Sequence, residues 1–263
     1  MVKKKNQFAE ILKKYQYQLH SGDIVAGTII YNEKIGFLVD IGTDKSGYLP
    51  QEEVTLNNKN KNPRYLKLIN MTRDFFIITE NKKINQYILS IKRLEYIRAW
   101  KRIKQMYSES IVLEVQIKHI NKGGIITYIE GIQAFIPKSH INNKLINNEC
   151  ILCKLLTINE NKNQIILSHK SANLILSKHK FKIGELVYGK VTTLKPYGLF
   201  INLYNIKALL HTSEMCNIQI NSYKTRVKNQ KVIKVQIIHL DTENGKISLS
   251  IRNLKIINHH QQH

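Results

Sequence analysis

Gly184-Glu-Leu-Val-Tyr-Gly189-Lys-Val191 is followed by Pro196-Tyr-Gly198-Leu-Phe-Ile201, Leu209-Leu-His211-Thr-Ser213, Lys234-Val-Gln-Ile-Ile-His-Leu-Asp241 and Ile247-Ser-Leu-Ser250. These five segments are short and rich in β-branched residues, and they alternate apolar with polar positions, the pattern of half-buried strands. Asn, Gly, Lys and Pro bound them, and Glu243-Asn-Gly245-Lys246 reads as a hairpin joining the last two. Five strands in so short a stretch point to a small all-β barrel.

Two weaker copies lie upstream. The first runs Gly22-Asp-Ile-Val-Ala-Gly27, Lys34-Ile-Gly36-Phe-Leu-Val-Asp-Ile41, Gly47-Tyr-Leu-Pro50 and Tyr87-Ile-Leu-Ser-Ile-Lys92. The second runs Ser110-Ile-Val-Leu-Glu-Val115, Lys122-Gly-Gly124-Ile-Ile-Thr127, Gln133-Ala-Phe-Ile-Pro137-Lys-Ser139 and Ile165-Ile-Leu-Ser-His169. Gly36, Gly124 and Gly198 each stand nine residues after Gly27, Val115 and Gly189, so the register is shared. A glycine on the second strand suits a sharply curved sheet, where a Cβ would crowd the neighbouring strand.

The repeat divides the chain into a helical extension (1–20), a first barrel (21–93), a basic linker helix (94–107), a second barrel (108–170), a linker (171–181), a third barrel (182–255) and a tail (256–263). In the linker helix Leu94, Ile97, Ile103 and Met106 recur at helical spacing among Arg93, Arg98, Lys101, Arg102 and Lys104, and Trp100 is expected to pack.

The third copy, with Gly-x-x-Val-x-Gly-x-Val, Tyr-Gly-x-Phe, Leu-x-His-x-Ser, Val-x-x-x-x-Asp and Ile-x-Leu-Ser in order, resembles the S1 RNA-binding domain, a five-stranded oligonucleotide-binding (OB) barrel. The order of the three copies is similar to the front half of the small-subunit ribosomal protein S1 family, and their number resembles its short plastid form. The fold this implies is all-β: three tandem five-stranded OB-fold barrels of S1 type joined by short basic helical linkers. By the same resemblance Tyr197, Phe200 and His211 face single-stranded RNA, with Asp241 and Lys246 of the last hairpin beside them. Stacking on aromatic faces beside phosphate-tracking cations is the chemistry such binding needs. Copy one has Ile35, Leu38 and Pro50 at the Tyr197, Phe200 and His211 positions, and copy two has Gly123, Ile126 and Pro137. Those copies are expected to bind RNA weakly, through charge, or to serve protein contacts; in the family such copies dock onto the ribosome.

Charge agrees with a polyanionic partner. The 263 residues carry 41 Lys+Arg against 19 Asp+Glu, a formal net charge of +22, far beyond the roughly 2–8 that solubility asks of a small domain. Affinity for nucleic acid is then salt-dependent. The 34 Lys against 7 Arg, with abundant Ile and Asn, mark A/T-rich codons and hence a plastid or an A/T-rich bacterial cytoplasm.

Other classes find little support. No run reaches the roughly 18 apolar residues of a membrane helix. Met1 to His20 is basic and helix-like, without the apolar core of a secretory signal, and reads as a docking extension. Cys150 and Cys153 fall three apart on an expected strand and point to opposite faces, and with Cys216 they make neither a disulfide framework nor a metal site. No P-loop and no clustered carboxylates accompany the barrels, so no enzyme, cofactor or metal is expected. The expected function is a ribosomal component that binds single-stranded mRNA with little sequence preference and helps load it for translation. Its partners are small-subunit proteins and rRNA. The alternatives are a free RNA chaperone, or an RNA-binding subunit of a nuclease or polynucleotide phosphorylase complex.

Overall fold

A computed structural model describes residues 19–55, 69–141, 148–215, 232–252 and 254. The expected helical extension, the carboxy-terminal tail and Cys216 lie outside the described residues or almost wholly so.

The first barrel is closed in the order β1-β2-β3-β5-β4, from β1 (Ile24–Asn32), β2 (Gly36–Asp40), β3 (Ser46–Pro50), β4 (Thr72–Asn81) and β5 (Gln86–Ser90). The third repeats that order with β12 (Leu186–Lys195), β13 (Gly198–Leu203), β14 (Ile206–His211), β15 (Val232–Asp241) and β16 (Lys246–Ser250). Alternation along each strand fills the interiors. Ile29, Phe37, Val39, Leu49, Phe75 and Leu89 pack the first barrel, and Val191, Leu199, Ile201, Leu210, Val235 and Leu249 the third.

The middle barrel differs at its first strand, which is broken into β6 (Val112–Gln116) and β7 (His119–Ile120). Its sheet therefore runs β6-β10-β11-β9-β8-β7, with β8 (Gly124–Ile129), β9 (Ile132–Pro137), β10 (Cys150–Asn159) and β11 (Gln164–Ser168). The hydroxyl of buried Thr127 donates to the Gln116 carbonyl at the break (2.7 Å), occupying an acceptor the ladder leaves free. Cys150 is exposed and Cys153 buried, on opposite faces of β10, and burial pushes the Cys153 thiol up to about 12.

The repeated glycines have the close approach that their positions require. A Cβ on Gly36, Gly124 or Gly198 would stand 2.6, 2.1 or 2.4 Å from the carbonyl oxygen of Leu49, Ile136 or Leu210 on the third strand of its own barrel. Strand bulges recur as well: register slips between Ile29 and Tyr31 in β1 and between Val191 and Thr193 in β12 bend the long first strands around the barrel.

The helix α1 spans Ile91–Ser108, beginning three residues before the start expected from sequence. Ser90 ends β5 and its hydroxyl accepts the Arg93 backbone N–H (2.8 Å), so strand passes straight into helix. Ser168 does the same for α2 (His169–Leu176), accepting from the Ser171 N–H (3.1 Å). Trp100 packs as expected, 1% exposed, with Tyr96 edge-on at 6.3 Å. Among the described residues no helix is long and apolar enough to cross a membrane.

Candidate nucleic-acid interface

The outer face of the third barrel is set by the alternation of β13 and β14. Leu199, Ile201 and Leu210 point inward, which turns Phe200, Leu209 and His211 outward. Phe200 is half-buried beside Tyr197, which sits at the turn into β13 and is 49% exposed. Their rings meet edge-to-face, centroids 6.2 Å apart at 88°, an arrangement worth about 0.5–1.5 kcal/mol beyond area burial. Gly198 pairs with His211 across the strands, and Thr212 N–H donates to the Tyr197 carbonyl (3.1 Å). The three predicted ring residues are thereby held at one end of the β13–β14 pair.

His211 is exposed and oriented. Its Nδ1 accepts from the Ser213 N–H (3.2 Å) and hydroxyl (2.8 Å), which places the proton of the neutral ring on Nε2. With that edge free to donate and no nucleophile beside it, the ring can stack or hydrogen-bond.

Asp241 and Lys246 face each other across β15 and β16, but at the other end of the surface. Ala208 pairs with Ile247, so Lys246 lies alongside Lys207 at the start of β14, while His211 is at its end. The five predicted residues therefore form two groups at opposite ends of one face. The Asp241 carboxylate accepts from Glu243 N (3.1 Å), Asn244 N (2.9 Å) and Asn244 Nδ2 (2.9 Å). Those bonds hold its carboxyl below the usual range and build the hairpin. Lys246 remains exposed.

Position-by-position reading of the repeats misses rings on the neighbouring strand. Phe200 pairs with Leu209; in the first barrel Leu38 pairs with Tyr48, and in the second Ile126 pairs with Phe135. All six side chains are half-buried on the outer face. Each barrel thus carries one aromatic in this cross-strand pair, on strand two in the third barrel and on strand three in the others. In the first barrel Tyr31, also paired with Leu38, joins Tyr48, Lys34 and Asn32 in lining a shallow cleft. Only pairing the strands reveals this. Among the described residues no group of three His, Cys, Asp or Glu side chains is placed to hold a metal.

The family model of the S1 RNA binding domain matches residues 110–170 and 180–252, the second and third barrels. Small ribosomal subunit protein bS1c of Porphyra purpurea is 46% identical over 94% of this chain and 95% of its own length. The chain belongs to the small ribosomal subunit protein S1 family. Within that family, bS1A of a Synechocystis strain is 38% identical over 94% of this chain and 76% of its own. The bS1c protein of Spinacia oleracea is 33% identical over 95% of this chain, which spans 62% of the spinach protein. The S1 family places the three barrels in a protein with RNA-binding domains and a ribosomal role.

Proposed function

We propose that the chain is a non-enzymatic component of the small subunit of plastid ribosomes, binding single-stranded mRNA with little sequence preference and helping to load it for translation. The observation that carries this reading is the gathering of Tyr197, Phe200 and His211 on one face of a chain with net charge +22. Rings accept any base, because every base has a π face, and cations accept any phosphate, so the combination is sequence-tolerant. Relatives named bS1c support the plastid ribosome as its place and small-subunit proteins and rRNA as its neighbours.

The test is titration of fluorescent single-stranded RNA. Tyr197→Ala with Phe200→Ala removes two stacking faces worth about 1–3 kcal/mol each, so affinity is expected to fall at least about 30-fold. Unchanged affinity in the folded double variant overturns the site. Log affinity should also fall steeply with log salt concentration. Co-sedimentation with small subunits in moderate salt tests the ribosomal assignment.

A further inference from the structure

The second and third barrels meet at a junction made of specific contacts. The helix α2 leaves the second barrel through Ser168 and lies against the β15–β16 hairpin of the third. Ser171 Oγ donates to the Glu243 carbonyl (2.5 Å), and Leu174 is buried with the third barrel's core. Gly245, at φ +66°, admits the helix so closely that a Cβ there would stand 2.6 Å from Lys170 C and Ser171 N. On the other side His140 Nδ1 and Ser168 Oγ are 3.0 Å apart, and Lys170 Nζ donates to the Ser139 carbonyl. The junction is held from both sides.

Cations collect there. Lys170 is half-buried in the seam, Lys246 follows Gly245 directly, and Lys207 is the neighbour of Lys246 on the adjacent strand, with His140 at the edge. Among the described residues none of these lysines has a carboxylate at salt-bridge distance. The nearest carboxylate by register, Asp241, is occupied by the hairpin.

We propose that this seam, formed by Lys170, Lys207 and Lys246 with His140 at its edge, binds backbone phosphates of single-stranded RNA, so that one RNA footprint crosses from the third barrel onto the second. The proposal rests on the reading of the third barrel as the RNA-stacking module, and adds the direction in which the strand leaves it. Tyr197, Phe200 and His211 occupy one end of the β13–β14 face and the seam closes the other, so a strand crossing that face arrives at the seam. A tether alone does not need this composition, since a neutral side chain could reach the Ser139 carbonyl. Like charges held close together repel, and an anion bound among them relieves the repulsion. Burial first, and then Lys207 and Lys246, lower the pKa of Lys170, and burial first, then Lys170 and Lys246, lower that of His140.

The test compares two RNA lengths on the intact chain: an oligonucleotide of about 5 nucleotides, enough for one barrel, and one of about 15. Lys170→Gln with Lys207→Gln is expected to weaken the long RNA about tenfold and to reduce its log–log salt slope by about 1.4, at about 0.7 per phosphate contact on a single strand. Affinity for the short RNA, which can lie on the Tyr197, Phe200 and His211 end alone, should fall by clearly less than that for the long RNA. Exposed Lys207→Gln alone, which perturbs no packing, should reduce the slope by about 0.7. Unchanged affinity and slope for the long RNA, while Tyr197→Ala with Phe200→Ala still weakens binding, overturns the seam and leaves the stacking site standing. If the tyrosine–phenylalanine variant is also without effect, it is the third-barrel reading that fails. A polyglutamate chain that binds in a Lys170-dependent way, with RNA indifferent to the substitution, would assign the seam to a protein partner instead.

Discussion

The third barrel and the second share a frame and differ in what they display on it. In both, a glycine opens the second strand against the third, a serine ends the fifth, and a hairpin joins the fourth to the fifth. The displayed residues have moved. The ring at the strand-two/strand-three pair is Phe200 in one and Phe135 in the other, on opposite strands, and Tyr197 and His211 are replaced by Gly123 and Pro137. At the hairpin base the third barrel has Asp241 and Lys246 where the second has Asn159 and Gln164 and the first Asn81 and Gln86. The outward face of each barrel is therefore set by pairs across strands, and a single alignment column can lose a ring that the surface retains.

The shared frame gives the largest expected effect. Gly124→Ala brings a Cβ to 2.1 Å from the Ile136 carbonyl, against 2.4 Å for Gly198→Ala at Leu210 and 2.6 Å for Gly36→Ala at Leu49. Backbone cannot yield as a side-chain tip can, so each should cost about 3 kcal/mol or more in its own barrel, in that order. Chemical denaturation of the three variants measures it. Equal and small losses would break the claim that the three glycines do one job.

The displayed rings give the next. Exchanging the pair, Phe200→Leu with Leu209→Phe, makes the third barrel resemble its siblings while conserving volume, so folding stability should change by less than about 1.5 kcal/mol. Tyr197 loses its edge-to-face partner and the pre-organisation it gives, worth at most about 0.5–1.5 kcal/mol, so RNA affinity should fall no more than roughly two- to tenfold. A loss as large as that of Tyr197→Ala with Phe200→Ala would show that the strand matters and not the ring. Phe135→Ala, which removes a ring without a Tyr197 counterpart, should cost no more than about 1 kcal/mol of RNA affinity. A larger loss would make the second barrel an equal partner in binding.

Much of this was legible in the amino-acid sequence, for identifiable reasons. Strands alternate and hairpins carry Gly or Asn, so three barrels could be read from local pattern. The early start of α1 was hidden because Ser90 both ends a strand and caps a helix, and only the second role needs the Arg93 N–H in place. The break in the second barrel's first strand was hidden because Ile117 is buried and continues the apolar alternation. Tyr48 and Phe135 escaped because cross-strand register is a long-range property. Asp241, expected beside the rings, turns its carboxylate to the hairpin instead, and sequence spacing is silent on which way an acid points.

Asp241→Asn carries the smallest expected effect and separates frame from display at one atom. In the first two barrels an asparagine already does the hairpin's work: Asn81 Oδ1 accepts from Lys83 N (3.1 Å) and Asn159 Oδ1 from Lys162 N (3.1 Å). The amide can replace the carboxylate as acceptor, so the cost at pH 7 should be about 0.5 kcal/mol or less. Its pH dependence has a definite sign. The folded carboxyl is held below its ordinary value, so its contribution is present above the unfolded pKa of about 3.9 and is lost as pH falls through the lower folded value. The wild-type advantage should accordingly begin to fall near about pH 4, the unfolded carboxylate's range, and vanish only once pH is below the lower folded value. RNA affinity should hold or rise slightly, since a negative charge beside Lys246 has been removed. A several-fold fall would mean that the carboxylate itself accepts a hydrogen bond from the RNA, and Asp241 would then belong to the displayed surface that the upstream barrels lack.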